Sequence, residues 1–158
     1  MNNPAWQNQR SLKLVHLLLT SYKSTYGEDL LDFSSDSYSN IEQAIRVFNM
    51  QNPLLSHDLA KDPCLNYVNA AALLLWKKSW DEMIGMPSRL TTPRKEQQLR
   101  QKALNHLSQK DAIENYQGIR INSEGELFMI ENARIWTILD ETSCIVGQAA
   151  TFSSWRKI

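Results

Sequence analysis

The sequence predicts an α+β fold: an antiparallel sheet with helices on one face, preceded by an N-terminal helical extension. Three observations carry that prediction. Leu12, Val15, Leu18, Leu19 and Tyr22 recur at three- and four-residue spacing, the period of a helix with one apolar side. Between Asn69 and Pro93 three helix-start signals follow one another closely. From Ile113 onward, apolar and polar residues alternate in runs separated by turn residues, the period of β-strands.

Taken in order, the first helix has a stripe widened by Leu14 and Leu17, and it leads into the irregular polar connection "GEDLLDFSSDSYSN". A second helix starts near Ser39, where Ser39 and Glu42 have capping-box spacing; Ile41, Ile45 and Phe48 form its apolar side and "QNP" stops it. These helices define an extension over residues 1–50, and residues 51–158 form the second unit. "LLSHD" and "LNYV" read as short strands. Asn69 is an N-cap for the apolar helix Ala70 to Trp76, Ser79 and Glu82 repeat the capping box, and Gly85 ends that turn in a left-handed conformation. Thr92–Pro93 opens a longer helix with Leu99, Ala103 and Leu107 on its apolar side.

In the first of the three late strands, Ile113, Ile119 and Ile121 share a face opposite Tyr116 and Arg120. The next, "ELFMIENARIWTILD", is apolar on both faces, with Leu127, Met129, Ala133 and Ile135 on one and Phe128, Ile130, Trp136 and Ile138 on the other. A strand apolar on both sides needs cover on both sides. The helices between residues 70 and 109 supply one cover, and the N-terminal helices, from the same chain or a partner, supply the other.

At 158 residues the chain is long enough for one domain with a core that needs no disulfides. Its 17 basic and 17 acidic residues give no net charge, so no nucleic-acid partner is expected. The local run "PRKEQQLRQK" is interrupted by Glu96 and reads as a solvated helix face. No segment approaches the ~20 apolar residues of a membrane span. The N-terminus lacks a secretory pattern, which leaves a cytoplasmic location as the expectation. Cys64 and Cys144 are far apart, form no metal or redox spacing, and read as small partly buried residues.

The element order, two short strands, two short helices, a longer helix and three antiparallel strands, resembles a PAS domain. "YVNAAALLLWKKSWDEMIG" resembles the characteristic PAS run in which a strand ends in Asn and a Trp/Glu-containing turn closes on Gly. "LLSHDLAKDPCLNYVNAAALLLW", "MPSRLT", "YQGIRIN", "ARIWTILDE" and "GQAATFSSW" are more closely similar to the bacterial, largely cyanobacterial, members of the MEKHLA family, over roughly residues 40 to 155. The family also occurs at the C-terminus of plant homeodomain–leucine-zipper proteins, but the remaining length holds no such domains, so a DNA-related role is not expected. The resemblance implies a PAS-like regulatory module rather than an enzyme. It is expected to bind a small ligand and to modulate association with an unidentified protein partner or, through its N-terminal helices, as a homodimer. The alternative is a ligand-free dimerisation scaffold.

The resemblance also frames the cofactor question. In light-sensing PAS domains a reactive cysteine stands three residues after a glycine that Gly85 matches; here Ser88 takes that position, followed by a matching Arg89. A hydroxyl lacks thiolate nucleophilicity near neutral pH, so flavin adduct chemistry is not expected. Ile130 stands where an asparagine would bond the flavin ring. Haem-binding PAS domains take an axial histidine from the long helix, which places His106 as the only haem-ligand candidate; a solvated histidine at the helix boundary is the plainer reading. Ser56-His57-Asp58 has the residue types of a hydrolytic triad, but strand neighbours point to opposite faces, so a turn or cap role is expected. The candidate ligand-binding residues are Trp76, Met83, Met86, Arg89, Tyr116, Arg120 and Trp136, with Trp80 and Arg134 nearby. They combine apolar walls with cations able to clamp a carboxylate or phosphate. Filled core around the tryptophans, with arginines paired to Asp81, Glu82 or Glu114, is the plain alternative.

Overall fold

The structure, a computed structural model, describes residues 3–32, 38–107 and 112–158, apart from the side chains of His106 and Leu107. A short 3-10 turn, Ala5–Gln7, leads into α1 (Gln9–Tyr26). The Asn8 side chain caps α1 by accepting from the Ser11 amide at 2.8 Å. α2 (Asn40–Phe48) is capped by Ser39, whose Oγ accepts from the Glu42 amide at 3.3 Å; among the described residues this is the half of the expected box that forms. There follow β1 (Leu54–His57), β2 (Leu65–Val68), α3 (Ala70–Trp76), α4 (Trp80–Met83) and α5 (Gln97–Leu107). β3 (Ala112–Ile121), β4 (Leu127–Leu139), β5 (Ile145–Thr151) and β6 (Ser154–Lys157) complete the chain. Both middle caps form as expected. Asn69 Oδ1 accepts from the Ala72 amide, and Ser79 and Glu82 bond reciprocally at 2.9 and 3.2 Å.

The strands pair antiparallel in the order β2-β1-β5-β4-β3, and β6 pairs with the first half of β4 on the edge whose second half holds β5. β5 closes on β1 at Gly147, where a side chain would collide with the His57 carbonyl oxygen. Each face of the sheet has its own core. On one, Val15, Leu18 and Tyr22 of α1 and Ala44 and Val47 of α2 meet Leu54, Tyr67, Trp136, Ile138 and Ala149. On the other, Ala72, Trp76 and Met83 meet Leu55, Leu65, Val68, Phe128, Ile130, Ala133 and Phe152. The N-terminal helices of this chain therefore cover the second face, because the α1 stripe finds its apolar partner on β4. Arg134 ties the end of α1 to β4: its Nη1 donates to the Tyr22 hydroxyl and to Glu28 Oε1, each at 2.6 Å, and its guanidinium lies 4.6 Å from the Tyr26 ring centroid.

Strict alternation along β3 and β4 is corrected. Opposite Tyr116–Gly118, β4 has one residue too many between Ile130 and Ala133, and Asn132 takes a left-handed φ of 54° there. Between Ile113 and Tyr116, β3 has one too many in turn, and Asn115 has φ 56°. These are β-bulges, and asparagine tolerates the left-handed backbone they require. Each bulge returns the following residue to the face it would have left. Ala133 and Ile135 therefore join Phe128 and Ile130 on the α3 side, while Trp136 and Ile138 face α1. Ile113, paired with Ile135, lies with Tyr116 and Arg120 rather than with Ile119 and Ile121.

The α5 face is corrected as well. Pro93 caps a 3-10 turn, Arg94–Glu96, instead of occupying the first helical position, and α5 follows it. Leu99 is 62% exposed and Arg100 only 9%, so the inward side of α5 runs through Arg100, Ala103 and Leu104.

Tyr67 carries one local consequence. Its hydroxyl is fully buried without a hydrogen bond among the described residues, and burial pushes its pKa upward. Replacing Tyr67 with Phe is expected to stabilise the chain by roughly 1 kcal/mol in urea unfolding, because an unsatisfied buried group disappears. A destabilisation of that size would show that the hydroxyl has a partner.

Candidate ligand-binding cavity

A cavity of about 60 Å³ lies between the sheet and the helices α3 and α5. Leu55, Leu65, Trp76, Leu104, Ile130, Ile135 and Phe152 give it apolar walls, and Ser56, His57, Thr91, Arg100, Arg120 and Gln148 are its polar members. The Trp76 ring is fixed by Nε1 donating to the Thr91 carbonyl at 3.3 Å and by edge contacts to Phe128 and Phe152. β1 supplies Ser56 and His57, β5 supplies Gln148, β3 supplies Arg120 and α5 supplies Arg100, so four elements bring polar side chains to one space.

The electrostatics of that space are unusual. Arg120 is 6% exposed; Nη1 donates to its neighbour's carbonyl at Ile119 (2.9 Å) and Nη2 to the Tyr116 hydroxyl (3.3 Å), with the guanidinium 5.5 Å from the Tyr116 ring centroid. Gly118 makes this contact possible, since a Cβ there would stand 2.7 Å from the Tyr116 hydroxyl and 2.8 Å from Arg120 Nη1. Arg100 has neither a hydrogen bond nor an ion pair among the described residues. Burial and, secondly, the charge of Arg120 pull its pKa down from 12.5 to about 10, which still leaves a cation at neutral pH. His57 Nδ1 lies 2.8 Å from the Asp58 carbonyl, while Nε2 is buried without a hydrogen bond although Gln148 shares the same wall. Burial holds the His57 pKa below the usual histidine range, so this ring is neutral near pH 7. The Ser56 hydroxyl is engaged, donating to Asn66 Oδ1 at 2.6 Å.

Of the expected pocket residues, Trp76 and Arg120 line the cavity and Tyr116 stands behind Arg120. Met83 is fully buried in the core beneath, and Met86 packs at that core's margin. Arg89 lies at the surface, paired with Asp62 at 3.3 Å. Trp136, expected in the pocket wall, faces α1, because the Asn132 bulge reverses its side of the sheet; Arg134 lies there too. Trp80 packs against Phe48 and Tyr67 on that same side. Ser56, His57 and Asp58 do not form a triad: His57 meets the Asp58 main chain, and Asp58 Oδ1 accepts the Ala60 and Cys64 amides as a turn residue. Arg100, His57 and Gln148 were not foreseen in the pocket. The one signal for Arg100 was the alternative α5 stripe 100–103–104–107, which fits i, i+3, i+4, i+7 spacing better than 99–103–107.

The helix-and-sheet arrangement defines a PAS fold, the fold class of many sensory domains. At TM-score 0.61 and 16% identity it is similar to a PAS domain of a protein from Colwellia psychrerythraea, over 76% of this chain and 98% of that one. It is similar to an RNA-binding light-oxygen-voltage receptor at TM-score 0.67 and 12% identity, over 80% of this chain but only 36% of the receptor. A light-oxygen-voltage domain studied with a flavin analogue matches at TM-score 0.59 and 15% identity, over 77% and 86% of the two chains. The chain belongs to the MEKHLA domain family, whose sequence pattern it matches over residues 12–157. No curated protein matches it.

The light-oxygen-voltage neighbours make flavin the cofactor to test against these residues, and it does not fit them. The cavity is well below the ~150 Å³ that admits a single benzene ring. Ser88, at the position of the adduct-forming cysteine, is 2% exposed, with its amide donating to the Pro63 carbonyl and its carbonyl accepting from the Thr91 hydroxyl. The haem expectation rests on His106, whose side chain lies outside the described residues. No helix among the described residues is long and apolar enough to cross a membrane.

Proposed function

We propose that this chain is a non-enzymatic, cytoplasmic regulatory module that binds a small ligand in the cavity beneath α3 and α5 and converts occupancy into a change of protein association. The observation that carries the reading is the cavity itself: apolar walls with convergent polar groups from four separate elements, the composition of a ligand site. Ligand contacts to Arg100 would act on α5, whose described inward side offers only Ala103 and Leu104 beside that arginine. The association surface is placed on the N-terminal helices. The α1 stripe is occupied by the sheet, but Ile41 and Ile45 of α2 remain 37% and 42% exposed.

Size-exclusion chromatography with light scattering, with and without a small molecule selected by thermal shift from a metabolite panel, tests the reading. A bound molecule that changes the mass distribution supports it. A panel without a binder, together with a mass independent of additions, overturns it in favour of a constitutive scaffold. The small size of the cavity, about 60 Å³, is the observation on the side of that second reading.

A further inference from the structure

We infer that the cavity receives a compact anion, an organic carboxylate or an inorganic oxyanion, seated between the Arg100 and Arg120 guanidinium groups. The inference deepens the sensory reading and rests on it for the cavity being a ligand site. Arg100 and Arg120 are 9% and 6% exposed and line the same space. Among the described residues neither has a carboxylate within ion-pair distance. Three less buried arginines are neutralised: Arg89, Arg134 and Arg156 pair with Asp62, with Glu28 and Glu114, and with Glu131 respectively. The nearby acids do not fill the gap. Asp58 binds turn amides, Asp62 pairs with Arg89, and Glu96 borders the outer depression beside both arginines without an ion pair to either.

Two like charges withdrawn from water and facing one space repel each other, and no carboxylate among the described residues pairs with either. A cation would add to that repulsion and a neutral molecule would leave it, whereas an anion removes it. Two guanidinium forks also match the oxygens of a carboxylate or oxyanion geometrically. The Gln148 amide is a further donor on this wall, whereas the neutral His57 ring gives its one proton from Nδ1 to the Asp58 carbonyl and presents Nε2 as an acceptor. The volume, about 60 Å³, holds roughly four to six water-sized atoms, which limits the enclosed part to a small headgroup. Arg100 also borders the outer depressions, so a larger carboxylate could keep its tail there.

The test measures melting temperature and calorimetric binding of the full chain at constant ionic strength, with sodium chloride as reference. The probes are sodium phosphate, sodium acetate, sodium malonate and uncharged acetamide. A saturable rise in melting temperature with phosphate or with a carboxylate, and none with acetamide, is expected; the two anion arms identify which chemistry is preferred. Arg100→Met and Arg120→Met should each weaken that anion by about tenfold or more, while Arg100→Met should melt no lower than the parent in chloride alone. If one variant fails to fold, the other still decides. Equal responses in parent and variants, or no response to any anion, overturn the inference. If acetamide binds instead, the anion assignment fails while the sensory reading stands; if no probe binds, the anion assignment fails, and the sensory reading falls only when the metabolite panel also yields no binder.

Discussion

Replacing Asn69 with Ala is expected to cost about 3–5 kcal/mol of folding stability, a large share of what a domain of this size possesses. The residue is fully buried and uses its whole amide. Oδ1 accepts the amides of Leu54 (2.9 Å) and Ala72 (3.1 Å), and Nδ2 donates to the carbonyls of Val47 (3.2 Å) and Asn52 (2.9 Å). One side chain thus joins the end of α2, the following linker, β1 and the start of α3. Loss of a cap alone costs about 1 kcal/mol. The larger figure comes from losing four bonds at once, among them those that satisfy the amides of the fully buried Leu54 and Ala72. Asn69→Asp separates the two effects: it keeps the cap but sets a carboxylate against two carbonyl oxygens, and is expected to be as damaging as Ala. Urea unfolding of both variants checks this, and a loss near 1 kcal/mol in each would reduce Asn69 to an ordinary cap.

Trp136→Ala is expected to cost a similar 3–5 kcal/mol and to loosen α1 before the rest of the molecule. The indole is fully buried, its Nε1 donates to the Leu18 carbonyl at 3.2 Å, and Tyr22 packs edge-on at 4.9 Å between centroids. Trp136→Phe keeps an aromatic ring but loses the Nε1 bond to the Leu18 carbonyl, which still accepts an amide within α1, together with part of the buried area, and should cost about 1–2 kcal/mol. Limited proteolysis reads the local effect. Early cleavage within residues 9–26 of the alanine variant is expected; cutting spread evenly over the chain would mean that α1 and the sheet open together.

What could be read from the sequence was whatever a few adjacent residues decide. Asn69 and the Ser79–Glu82 pair announce helix starts because capping acts over three residues, and the α1 stripe announces itself by period. The faces of β4 were hidden, since nothing marks Asn132 as a bulge except its pairing with β3 across the sheet. Any count of alternation that passes it therefore comes out reversed, grouping Trp136 with Phe128 and Ile130 and setting Ala133 and Ile135 apart from them. Arg100 was hidden for another reason. An arginine beside a leucine reads as surface, and only the packing of α5 on the sheet turns Leu99 outward and Arg100 in. Gln148 gives no signal of its own: it reaches the cavity because β5 closes on β1 at Gly147.

The bulges at Asn115 and Asn132 have a consequence beyond the direction of single side chains. The seam where β5 gives way to β6, at Phe152 and Ser153, falls opposite Asn132, so the three irregularities lie along one crease across the sheet. The panel holding Ile135, His57 and Gln148 lies on one side of that crease, and the panel holding Arg120 and Ile130 on the other. The cavity straddles the fold line, so whatever occupies it touches both panels at once.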